Sequence, residues 1–174
     1  GATSVHEYAK NGFLPEAILN YMALLGWAPG GDKEIMSMDE MIQLFDLKDV
    51  HIAPAVFDYT KLEWINGEYI RKMTDEELTK RLQEFLVDSP RYAGGAGHPA
   101  KDKLASVVPL VKERIKKLSD FVPLTDFLFE NPEYDMEVFN KLKIENPAGV
   151  LSKIKKEMEA MEKPWKTEVF EETF

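Results

Sequence analysis

Phe57-Asp58-Tyr59-Thr60-Lys61-Leu62-Glu63-Trp64-Ile65-Asn66-Gly67-Glu68-Tyr69-Ile70-Arg71 is the stretch on which the reading of this 174-residue chain turns. Leu62, Ile65, Tyr69 and Ile70 recur at helical spacing, and the pattern predicts an amphipathic helix starting near Asp58. Trp64 and Tyr69 are expected to pack. Gly67 is out of place, because a glycine inside a helix costs about 1 kcal/mol against alanine. Close approach of another backbone or of a ligand is the expected reason for it.

The same logic extends in both directions. Ser4-x-x-Glu7, Ser37-x-x-Glu40 and Thr74-x-x-Glu77 are capping boxes, in which the hydroxyl accepts from the N3 amide and the glutamate reaches back to the N-cap amide. Pro15 suits a first helical turn, with Ile18, Leu19, Met22 and Leu25 as its apolar stripe and Gly26 as its stop. Met38, Met41, Ile42 and Phe45 form a second stripe, and Leu78, Leu82, Phe85 and Leu86 a fourth. The run Ser89 to Pro99 holds three glycines and two prolines. No Gly-Lys-[Ser/Thr] follows it and no strand precedes it, so it reads as a connector and not as a phosphate loop. Helical spacing resumes through Val107, Val108, Val111, Ile115 and Leu118, with Pro109 opening or kinking that helix. Pro123 interrupts before a short apolar helix of Leu124, Phe127 and Leu128. Asn131-Pro132-Glu133 turns, 135–143 reads as a helix, and Asn146-Pro147 starts another through Val150, Leu151, Ile154 and Met158, which Pro164 stops. Residues 166–174 begin a last one. The expected fold is mainly α in two parts, 1–88 and 101–174, joined by a linker over 89–100. Strands are limited to one or two short ones near Glu34-Ile35-Met36.

Composition sets bounds. A hydrophobic share of 44% and a charged share of 30% are ordinary for a globular chain. No apolar run approaches the roughly 18 residues of a membrane span, and a secretory leader is absent from the first residues. With no cysteine there are no disulfides or thiolate metal sites, which fits a reducing compartment. The net charge is −9, unusual for a nucleic-acid binder. It is unevenly spread, however: residues 1–89 carry 8 Lys and Arg against 16 Asp and Glu, whereas 101–118 carry 6 against 2.

Catalytic signatures are missing. There is no H-E-x-x-H, no G-x-S-x-G and no cysteine nucleophile. His6, His51 and His98 are isolated and read as surface or cap residues. Asp39-Glu40 and Glu76-Glu77 fall in first helical turns, where they complement the helix dipole. The expectation is no catalytic, cofactor or metal site. What remains is Val111-Lys112-Glu113-Arg114-Ile115-Lys116-Lys117-Leu118, read as an amphipathic helix whose polar side carries Lys112, Arg114, Lys116 and Lys117, able to face a phosphate backbone.

Residues 57–71 resemble the block that follows the catalytic core of bacterial glutamyl-tRNA synthetases, which are class I enzymes. There the pattern runs F-D-x-x-K-L-x-W-x-N-G-x-Y-I-R. Gly1 to Tyr8 is similar to the sequence directly after that family's K-[LM]-S-K-R signature, and Gly12 to Tyr21 matches between the two. The resemblance implies a C-terminal portion beginning just after the active site and incomplete at its own C-terminus. Its helical stem-contact domain, 1–88, would rest on the inner corner of tRNA. An anticodon-binding helical bundle would follow at 101–174. It implies Lys61, Asn66 and Arg71 as contacts at the tRNA corner. It also aligns Arg114 with the R-x-x-x-L arginine that contacts the third anticodon base, favouring tRNA-Glu over tRNA-Gln. Thr3 and Ser4 would support the catalytic lysine loop. The full enzyme would join glutamate to tRNA-Glu with ATP and Mg²⁺ as a cytoplasmic monomer. Its partners would be tRNA-Glu and an upstream Rossmann core, with no membrane. The portion alone would bind but not catalyse. The competing reading is a non-catalytic helical scaffold for protein partners.

Overall fold

The computed structural model of the chain describes residues 4–30, 33–50, 56–87, 101–129, 136–141 and 144–160. They form helices α1 (Val5–Lys10), α2 (Pro15–Gly26), α3 (Met38–Leu44), α4 (Tyr59–Lys72), α5 (Asp75–Val87), α6 (Lys101–Val111), α7 (Phe121–Phe129), α8 (Met136–Lys141) and α9 (Pro147–Ala160). Short 3-10 turns occupy Leu47–Asp49 and Leu118–Asp120. The chain divides into two compact units, Gly1–Asn131 and Pro132–Phe174.

Helix starts follow the local chemistry. In all three capping boxes the glutamate reaches back to the cap amide, at 2.9, 2.8 and 2.9 Å from Ser4, Ser37 and Thr74. Lys33 adds a charge to the second of these, and its hydrogen bond, with those of Ser37, holds the exposed Glu40 carboxyl down at about 2. Asp58 caps α4 by accepting from Lys61 N at 3.1 Å, while its own N–H donates to the hydroxyl of buried Tyr21 at 2.6 Å. One buried tyrosine of α2 therefore fixes where α4 begins.

Within the first unit α2 packs along α4, α5 along α6, and α7 closes on α6 and the Leu118–Asp120 turn. Leu62, Ile65 and Ile70 of α4 are at most 1% exposed. Burial on that scale is worth about 2 kcal/mol per side chain. A single core joins Leu14, Leu62 and Leu82 to Leu104, Ile115 and Phe121. The division expected at 89–100, itself outside the described residues, is thus not where the chain separates into compact units. The stripe of Leu78, Leu82 and Leu86 on α5 is buried, and α6 lies against that helix across the connector.

Other expectations change as well. No strand forms at 33–37; the extended backbone there is held by Asn20, whose Oδ1 accepts from Met36 N at 3.0 Å. The one bridge among the described residues pairs Trp27 with Val50. On α2 the buried residues are Ala17, Asn20 and Tyr21, and Leu19 and Met22 are exposed. On α3 only Met41 is buried. Trp64 is not in the core: it is 39% exposed. Pro109 does not open a helix; it lies inside α6 two residues before its end, and Pro123 sits in the first turn of α7, where no N–H is needed. Phe121 and Thr125 are the buried residues of α7, leaving Leu124, Phe127 and Leu128 exposed.

The second unit contains α8 and α9. Asn146 starts α9 from a left-handed backbone, φ 48°, with its Oδ1 accepting from Gly149 N at 3.2 Å. No described residue of α9 is fully buried, although Ile154 and Met158 are partly covered. The turn expected at 131–133 and the stop at Pro164 lie outside the described residues.

Candidate nucleic-acid interface

The basic segment is not a helix. α6 stops at Val111, and the backbone turns through Lys112 to Arg114, whose N–H donates to the Val111 carbonyl at 2.8 Å. Helical continuation would require the amides of residues 116–118 to reach back four residues. Instead the N–H groups of Lys116 and Lys117 both donate to Asp120 Oδ2 at 2.9 Å. Leu118 N–H donates to the Gly12 carbonyl at 2.9 Å. Ile115 and Leu118 still bury their side chains, which is why the apolar spacing mimicked a helix.

This loop is held at several points. Asn66, fully buried on α4, accepts from Leu14 N–H at 2.8 Å and donates through Nδ2 to the Lys116 carbonyl at 2.5 Å. Ser119 Oγ donates to the Asn11 carbonyl at 2.8 Å. Gly12, at φ +79°, lies so close that a Cβ there would stand 2.5 Å from Ser119 N. A left-handed backbone and that approach together require glycine.

The four cations divide into two kinds. Lys112 donates to the Met73 carbonyl and to Asp75 at 3.0 Å, and its side chain is only 16% exposed. Lys117 pairs with Glu63 and lies over the rings of Phe13 and Tyr59, each 5.7 Å away. Burial pulls its pKa down, but the hydrogen bond and charge of Glu63 outweigh that and hold it above the ordinary lysine value. Both lysines are tied into the scaffold, which corrects their expected place on an open basic face. Arg114 and Lys116 are exposed, and neither side chain has an ion-pair partner among the described residues. The two tied lysines flank the two exposed cations in the same loop.

The corner residues also separate. Asn66 cannot touch a ligand, since it is fully buried and both ends of its amide are engaged. Lys61 pairs with Glu34 at 2.6 Å on the surface. Arg71 pairs with Glu68 and lays its guanidinium across Gly67, where a Cβ would meet Nη1 at 3.2 Å. The close neighbour of the glycine inside α4 is thus the flexible end of an arginine of its own helix, not another backbone.

Among the described residues no three His, Asp or Glu converge on a point that would hold a metal ion. His6 is exposed, and His51 and His98 lie outside the described residues. Sequence reasoning missed the Gly12 seam and the roles of Glu63 and Asp120. Asn11-Gly12 offered a turn signal, but nothing in it names a partner more than a hundred residues away.

Comparison with known proteins places this geometry. Residues 2–64 match the family described as tRNA synthetases class I (E and Q), catalytic domain. The chain is 38% identical over 156 residues to the glutamate–tRNA ligase of Clostridium acetobutylicum, covering 89% of this chain and 31% of that protein. It is 42% identical over 146 residues to glutamate–tRNA ligase 1 of Pseudothermotoga lettingae, covering 82% of this chain and 29% of the relative. A crystal structure of a glutamate tRNA ligase from Elizabethkingia meningosepticum, in complex with its amino acid, superimposes with a TM-score of 0.73 at 32% identity, over 89% of this chain and 30% of that one. The chain spans about a third of the length of these relatives. Residues 77–174, more than half of the chain, match the model described as anticodon binding domain. The chain belongs to the anticodon binding domain family.

Proposed function

We propose that this chain is the tRNA-recognition portion of a glutamate–tRNA ligase. It binds the anticodon arm through the 112–117 loop and the inner corner of the tRNA through the surface around Lys61 and Arg71, and it does not catalyse by itself. The observation that carries this reading is the loop itself: Arg114 and Lys116 stand exposed, with no ion-pair partner among the described residues, on a segment whose other cations, Lys112 and Lys117, are tied down. A guanidinium held this way can stack on an unstacked base and donate paired hydrogen bonds to its edge. An ammonium in the same loop suits a phosphate. Lys112 and Lys117 position these groups, and Lys61 and Arg71 meet RNA only by exchanging a carboxylate partner for a phosphate. The longer protein would use ATP and Mg²⁺ to attach glutamate to tRNA-Glu, in the cytoplasm and as a monomer.

Binding of the chain to tRNA-Glu and tRNA-Gln across a salt series tests the assignment. Arg114→Ala is expected to remove about 1–3 kcal/mol of preference for tRNA-Glu. Lys116→Ala is expected to weaken both RNAs alike and lower the salt slope by about one. Unchanged binding and preference in Arg114→Ala would refute the anticodon role.

A further inference from the structure

We infer that Asn66 is a positioning residue for the Arg114 loop, locking it onto the segment matched by the catalytic-domain family. The inference rests on the anticodon reading above for its functional half, and on geometry alone for its mechanical half.

Asn66 lies between the two family matches, which end at residue 64 and begin at residue 77. One end of its amide holds Leu14, in the first segment; the other holds Lys116, in the second. The side chain is fully buried on α4, its bond to Leu14 buried and its bond to Lys116 part-buried. A directed strap of this kind fixes orientation better than apolar packing, which tolerates sliding. Asn11, Gly12, Ser119 and Leu118 add two more hydrogen bonds across the same seam, at 2.8 and 2.9 Å. On the α5 side Lys112 reaches the Met73 carbonyl and Asp75. Arg114 therefore projects from a loop clamped at both ends, and the clamp reaches directly to the start of α2. A base contact made by Arg114 has its geometry set by a residue that never meets RNA. Recognition by a preorganised group loses little entropy on binding, and a shift of about 1 Å in such a group is enough to lose its function.

Two measurements test this. The first needs no RNA. Hydrogen exchange on the free chain should show the amides of Lys116, Lys117 and Leu118 accelerated in Asn66→Ala by at least about tenfold more than those of α5. Ser119→Ala, which leaves the core intact, should accelerate Leu118 to a smaller degree. Equal protection in Asn66→Ala and the wild type overturns the inference. The second is a double-mutant cycle on discrimination between tRNA-Glu and the same RNA altered at its third anticodon base. Arg114→Ala should lower discrimination about 10- to 100-fold. Asn66→Ala should lower it comparably, and the double variant no further. Full discrimination in a folded Asn66→Ala, or losses that simply multiply, overturns the positioning role. If Arg114→Ala itself changes nothing, it is the anticodon reading that fails, and the exchange data still decide whether Asn66 holds the loop.

Discussion

Replacing Gly12 by alanine should unseat the loop that carries Arg114, and its cost can be worked out term by term. Gly12 has φ +79°, and an added Cβ would stand 2.5 Å from Ser119 N and 2.8 Å from Leu118 N. Both are backbone atoms, so the loop must retreat. A left-handed backbone costs an alanine about 1–2 kcal/mol. Retreat also breaks the Leu118–Gly12 and Ser119–Asn11 hydrogen bonds, at about 1 kcal/mol each. The expected total is about 3–4 kcal/mol. Gly30 supplies the control, since it has φ +85° with nothing within 4 Å of its added Cβ. Gly30→Ala should show the backbone cost alone. Urea unfolding followed by tryptophan fluorescence in a Trp165→Phe background would report from Trp27 and Trp64, both in the first unit. With a slope of about 2 kcal/mol per molar, the Gly12 midpoint should fall about 1 M below that of Gly30→Ala. Equal costs at the two glycines, within about 0.5 kcal/mol, would refute the close approach and the seam built on it.

Two further outcomes follow from charge and burial. Burial, with Glu16 and Glu40 nearby, pushes the Tyr69 phenol up to about 12, while its hydroxyl lies 3.0 Å from Asn20 Oδ1. The protonated form is the one favoured in the fold, so its stabilisation is complete below pH 10 and is lost as the pH rises towards 12. A phenolate absorbance titration should show a late step that vanishes in Tyr69→Phe; a titration unchanged by that substitution would contradict the burial argument. Lys117→Met keeps the aliphatic stem over Phe13 and Tyr59 but removes the partner of Glu63, and should cost about 1 kcal/mol, most of it absent in a Glu63→Gln background. Equal loss in both backgrounds, measured by denaturation below pH 10, would assign the effect to packing and not to charge.

The helices were legible where a local rule decides them. Ser4, Ser37 and Thr74 each state a helix start in four residues, and the structure forms all three boxes. Leu62, Ile65 and Ile70 were read correctly because α4 is covered along one face. The stripes of α2 and α3 were misread for a shared reason: apolar residues such as Met22 and Ile42 lie exposed while Asn20 is buried, and periodicity cannot say which partners are present. The candidate site was half legible. Charge type and position marked 112–117, but Val111, Ile115 and Leu118 carry the same spacing in a loop as in a helix when tertiary hydrogen bonds take the amides. Asn66 was read as a contact because its place in the pattern was visible and its burial was not. A buried amide joining two backbones that each lie some fifty residues from it leaves no periodic trace.

The seam also orders events during synthesis. Asn66 is made about 50 residues before its acceptor at Lys116, and Asn11 waits 108 residues for Ser119. At roughly 5–20 residues per second, the first delay is about 3–10 s and the second about 5–20 s. Throughout that interval the nascent α2–α4 pair carries a buried-type amide with one end unclaimed and a glycine turn with nothing docked against it. Loop closure over such a span comes late in folding. The Gly12 turn is therefore sealed only once Leu118 and Ser119 have been made, and a ribosome pausing between α4 and the Leu118–Asp120 turn would hold it half-sealed.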